Sequence, residues 1–168
     1  VAMLPHVMWL KQVDFVPLHD VAAFRQGDPL RGLVDGGSIF VQTALDRPEA
    51  IWAAIPAAAR SEMLARGIHC WALDTTALAR AHAPRPDLLV RMQGVALVGV
   101  FLRVAPFAAE AGFDRAALLD AVRTQLTRFF GKRGGAVVDA NLAVVSAAYD
   151  HAIDVTGAVT GLTVAPRH

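Results

Sequence analysis

Three short apolar runs rich in β-formers, Val13 to Leu18, Ser38 to Thr43 and Ile68 to Leu73, are separated by stretches of helical character. Parallel strands need crossover connections of a dozen or more residues, and that spacing supplies them, so the runs predict an α/β domain with a parallel sheet. The punctuation between them fits. Asp46 followed by Pro48 and Glu49 has the form of a helix N-cap with a first-turn proline and a reciprocal carboxylate. Gly67 stands where a helix ending at Arg66 needs a left-handed residue, and Asp74 is placed to cap a helix starting at Thr75.

From Pro86 onward the strand signals stop. The remainder reads as a C-terminal region of three helices, over about Asp87 to Val104, Arg115 to Phe130 and Ala136 to Asp154. The second carries Leu118, Leu119, Val122, Leu126 and Phe129 at helical spacing, a single apolar stripe. The third carries a comparable face, with Asn141 expected as a hydrogen-bonding core residue. Residues 156–168 are small and polar and read as a tail or linker. Residues 1–155 are expected to form one domain, which at this length can bury a sizeable core. The chain opens in an apolar segment without the first strand and phosphate-binding turn that usually begin such folds, so an upstream strand is expected to be missing, the alternative being a short sheet that starts with this chain.

Hydrophobic residues make up 55% of the 168 and charged residues 18%, more apolar than an average soluble domain. Such a surface suits a chain that binds others. The net charge of +1, with Lys11 and Lys132 as the two lysines, gives no basic stripe of the kind nucleic acids need. The most apolar stretch, Leu88 to Val104, is broken by Arg91, Gln93 and Arg103, unlike a membrane span. A lone cysteine, Cys70, permits no internal disulfide and no four-thiolate iron–sulfur cluster, and with no export signal at the first residues the expected setting is cytoplasmic.

Val13 to His19 resembles the "ADFVACH" strand of the γ domain of pyruvate:ferredoxin oxidoreductases. Asp28 to Gly37 looks like that family's "D-x-L-K-x-x-K-x-G-G" helix and turn, and Ser38 to Thr43 like the strand after it. Glu49-Ala50-Ile51-Trp52 with Ile55-Pro56 is similar to "E-E-V-W-x-x-L-P", and His69 to Asp74 to "K-F-Y-V-I-D". The strongest match is Phe129-Phe130-Gly131-Lys132-Arg133-Gly134 followed by Val137, Val138 and Asn141, against "T-Y-G-K-K-G-x-x-V-V-x-x-N". The strings are collinear from about Val13 to Asp150. The departures are an absent Asn in Asp87 to Gln93, Val41-Gln42-Thr43 in place of "L-N-S", and no glycine-rich "G-x-G-S-D-G-T-V-G-A-N-K" turn upstream.

The resemblance implies the C-terminal portion of a γ component in a multi-subunit 2-oxoacid:acceptor oxidoreductase. Such enzymes decarboxylate a 2-oxoacid oxidatively with coenzyme A, using thiamine diphosphate and iron–sulfur clusters held by other subunits, and pass electrons to ferredoxin or flavodoxin. The γ part is then non-catalytic, binds no cofactor alone, and packs against the thiamine-binding and cluster-binding partners. The alternative is a stand-alone α/β interaction or regulatory module that reuses the fold without redox chemistry.

Lys132 and Arg133 are the candidate cofactor-binding residues, as contacts for coenzyme A or a partner anion. They lie at the end of one helix and ahead of the next, where amides can also receive an anion. The other candidates read more simply. His19 ends a strand where α/β folds place ligands but reads as a surface or interface residue, Gly36 and Gly37 as suppliers of positive φ, and Asp74 as a cap. Cys70 reads as a buried thiol, and the histidines show no metal-ligand spacing.

Overall fold

The computed structural model describes residues 13–105 and 112–161. They form a mixed α/β fold with a four-stranded, mostly parallel sheet in the order β1-β2-β3-β4. The described chain divides into two compact units, the first around the sheet and the second helical from Thr75 to Ala152.

In the sheet unit, β1 (Val13–Leu18), β2 (Leu33–Gln42) and β3 (His69–Leu73) are parallel neighbours, as their spacing predicts. Between β1 and β2 lies one helical turn, α1 (Ala23–Gln26). Between β2 and β3 come α2 (Pro48–Ala54) and α3 (Ala57–Arg66). Ile39, Val41, Cys70 and Ala72 alternate onto one face of the sheet and are closed over by Ile51 and Met63 from the crossover helices. At about 25 cal/mol per Å² of apolar surface buried, this cluster is the main favourable term in the unit.

Gly67, at φ 64°, ends α3 as expected. Its N–H reaches Leu64 O and that of Ile68 reaches Met63 O at 2.9 Å, so the last carbonyls are satisfied while Met63 and Ile68 meet in the core. The cap of α2 differs from expectation. Pro48 is in its first turn, but the N-cap is Arg47, and Asp46 lies one residue too early.

Asp28 to Gly37 also differs from the helix and turn suggested by resemblance, because β2 already begins at Leu33. Val13 pairs with Leu33 but Phe15 pairs with Ser38, so β2 carries a bulge opposite β1. Gly36 turns it at φ 77°. A Cβ on Gly37 would lie 2.9 Å from Val34 O and 3.1 Å from Asp14 O. The guanidinium of Arg66 ties the bulge down, donating to Asp35 Oδ1 at 2.8 Å and to the carbonyls of Leu30 and Leu33.

In the helical unit, α4 (Thr75–His82) starts directly after Asp74. A 3-10 turn over Pro86–Leu88 takes the start of the next predicted helix, leaving α5 as Leu89–Val104. Then follow α6 (Arg115–Phe130), capped by Asp114 Oδ1 accepting from Ala117 N at 2.8 Å, and α7 (Gly135–His151). α5 and α7 pack closely because Gly99 has no side chain: a Cβ there would overlap Val145 O. Asn141 is buried as expected, its Nδ2 donating to Val137 O at 2.7 Å. No helix among the described residues is long and apolar enough to cross a membrane.

The last predicted helix was extended too far, and the loose tail expected from residue 156 begins as ordered structure. α7 stops at His151, Ile153–Asp154 form β4 antiparallel to β3, and Val155–Thr160 form α8. Val155 is fully buried in the sheet-unit core, and Thr156 Oγ1 accepts from Cys70 N at 3.1 Å. Asp154 caps α8 by accepting from Gly157 N at 2.9 Å.

Candidate functional site

The carboxyl ends of β1, β2 and β3 bring His19, Gln42, Thr43 and Asp74 to one edge of the sheet, where open parallel sheets place ligands. Gln42 Nε2 donates to Asp74 Oδ1 at 2.9 Å, and Thr43 N donates to Leu73 O at 3.3 Å, tying the ends of β2 and β3. Thr43 Oγ1 accepts from Leu45 N at 3.1 Å, which shapes the turn into α2. His19 is exposed and makes no hydrogen bond to these three among the described residues. Sequence reasoning gave Gln42 no role, since its partner lies 32 residues away. This edge offers hydrogen-bonding groups.

Cys70 is fully buried, and its thiol is pushed up to about 12, first by desolvation and then by the charge of Asp154. Burial of this kind disfavours the thiolate, the form that attacks or ligates. Among the described residues no three His, Cys, Asp or Glu side chains come together to hold a metal ion.

Lys132 and Arg133 occupy a 3-10 turn, Gly131–Arg133, between α6 and α7, and both are exposed. The chain leaves the turn through Gly134 at φ 106°, so the amides of the first turn of α7 start just beyond the two cations. Neither cation forms an ion pair among the described residues. The guanidinium of Arg91 sits 5.8 Å from the centroid of Phe130, which adds a third cation beside the turn. The sequence gave no signal for that approach, because Arg91 and Phe130 belong to different helices. By charge and hydrogen bonding such a turn suits an anion.

A mostly parallel sheet with crossover helices and one antiparallel edge strand defines a protein of the mixed α/β class. Residues 6–151 match the family model described as pyruvate ferredoxin/flavodoxin oxidoreductase. The chain belongs to that family. Its fold is similar to that of pyruvate oxidoreductase subunit PORC from Thermotoga maritima, with a TM-score of 0.54 and 19% sequence identity over 85% of this chain. The chain spans 65% of the length of that subunit. No curated protein matches it.

Proposed function

We propose that the chain is a γ component of a 2-oxoacid:ferredoxin or flavodoxin oxidoreductase, which scaffolds the thiamine-binding parts and the coenzyme A side during oxidative decarboxylation. The observation that carries this reading is the family match over residues 6–151 combined with a PORC-like fold. The iron–sulfur clusters of such an assembly do not fit this chain's own groups. A cluster needs several thiolates, and Cys70 is single and buried. Thiamine diphosphate would in this reading be held, with its metal, by other subunits of the same enzyme.

Coenzyme A is different, because its phosphates need only cations and amides, and Lys132 and Arg133 beside the start of α7 are of that chemistry. The residues of this chain would orient and neutralise an anion, while bond making occurs elsewhere in the assembly.

The test is to co-express the chain with the thiamine-binding and cluster-binding subunits of its enzyme and to follow 2-oxoacid- and coenzyme A-dependent reduction of methyl viologen. Activity should require all components, and the chain alone should give none. A chain that stays outside the assembly would overturn the reading in favour of a stand-alone interaction module. Within an active assembly, Lys132→Ala with Arg133→Ala should raise KM for coenzyme A with kcat little changed. An unchanged KM assigns the turn to a partner's carboxylate instead.

A further inference from the structure

α5 and α6 both pack on α7 and scarcely on each other, and between them they leave an apolar trough of about 400 Å³. Its walls are Val98 and Leu102 from α5 and Leu118, Val122, Leu126 and Phe129 from α6. Phe113 closes one end and is 49% exposed, whereas Phe129 at the other end is 75% exposed. The stripe of α6 that looks in sequence like a core face is therefore half open. From Leu118 to Phe129 the trough runs roughly 17 Å at 1.5 Å per residue, the length of about three helical turns. Apolar side chains spaced i, i+3 or i+4, and i+7 on one helix would fill such a trough.

The two ends of the trough differ in charge. Near Phe113 the cations are satisfied: Arg115 forms a two-point pair with Asp150 at 2.6 and 2.7 Å, and Arg103 donates to Tyr149 O while lying over its ring. Near Phe129 stand Arg91, Arg128, Lys132 and Arg133, none of them paired with a carboxylate among the described residues. A second copy of the same face answers these charges poorly. α6 carries Asp120 as its one carboxylate, and its Arg115 and Arg123 are already paired with Asp150 and Asp139, so a second copy has little free negative charge to set against Arg91, Arg128, Lys132 and Arg133.

We propose that this trough receives an amphipathic helix of a partner protein, apolar on one face and carrying Asp or Glu at the end that meets Arg91, Arg128, Lys132 and Arg133. The inference goes beyond the reading above, since shape and charge would select such a helix whatever assembly supplies it. The test uses the full chain and two synthetic helical peptides of about 18 residues with the same Leu/Ala stripe, one bearing Glu and the other Lys on the polar face.

By titration calorimetry at low salt, the Glu peptide should bind at least about tenfold more tightly than the Lys peptide, with the gap shrinking as salt is raised. Phe129→Ser should weaken both peptides. The triple change Arg128→Glu, Lys132→Glu, Arg133→Glu should reverse the preference, with circular dichroism confirming that each variant stays folded. Equal affinity for the two peptides, no binding of either, or binding indifferent to Phe129→Ser would each overturn the proposal. A dimer in sedimentation equilibrium that Phe129→Ser dissociates would also overturn it, and would make the occupant a second copy.

Discussion

Ile39, Met63 and Cys70 in the sheet unit are wholly covered, whereas Val90, Phe113 and Phe129 in the helical unit leave about half or more of their surface to solvent. The charges divide the same way. Acidic residues outnumber basic ones in the sheet unit, and the reverse holds in the helical unit. One unit has closed its core with its own crossover helices. The other keeps two helices parted over a third and, among the described residues, leaves an apolar trough between them. The proposed docking surface thus lies in the second unit, where large apolar side chains are the more exposed.

The sharpest way to break that contrast is to truncate one apolar side chain in each unit. Ile39→Ala should cost about 2–5 kcal/mol in urea unfolding, because it opens a cavity among fully buried neighbours. Phe129→Ser should cost less than about 0.5 kcal/mol. Comparable losses at the two sites would show that the trough is filled in the free chain.

Gly99→Ala comes next. The added methyl would press on Val145 O and Ala148 Cβ, and overpacking of this kind costs roughly 1–3 kcal/mol, read as a lowered thermal midpoint. A neutral outcome would mean that α5 can move away from α7, so that the helical unit is as loosely packed inside as it is open outside. Asp154→Ala should cost about 1 kcal/mol, since Gly157 N loses its acceptor and α8 its cap. Unchanged amide exchange at Gly157 would disprove that capping role.

The smallest expected effect is that of Asp150→Asn, at a half-exposed ion pair. The hydrogen bond from Arg115, partly offset by desolvation, holds the Asp150 carboxyl below its usual range. A depressed folded-state pKa gives stability that is present above the unfolded value of about 3.9 and is lost as pH falls through the folded value. Wild type should therefore melt slightly above the variant at pH 7, with the difference fading in acid. A difference that persists at pH 2 would assign the effect to packing.

The three parallel strands were legible because each is a short run of β-formers bounded by helix signals, and Gly67 could be placed because only a left-handed residue fits there. The bulge in β2 was not, since Gly36-Gly37 has the same form in a helix-ending turn as in a strand bent by Arg66. β4 was hidden for a similar reason. Ile153 falls four residues after Tyr149, in phase with the face of α7, and only pairing with the distant Trp71 and Ala72 makes it a strand. At the candidate site, Lys132 and Arg133 could be placed from the two helices flanking them. The companionship of Arg91 could not, because it depends on how two helices lie on a third. Whether the stripe from Leu118 to Phe129 is covered is likewise a property of its neighbours.

The bond from Cys70 to Thr156 joins residues 86 apart in the chain, and everything between Asp74 and Ile153 belongs to the helical unit. During synthesis the sheet therefore stands incomplete while that insert emerges, a delay on the order of ten seconds at ordinary elongation rates. Throughout that interval the outer edge of β3 lacks β4, and the core lacks Val155. A nascent chain halted before Ile153 would leave that strand edge open to intermolecular pairing, and the last short strand and helix are the latch that closes it.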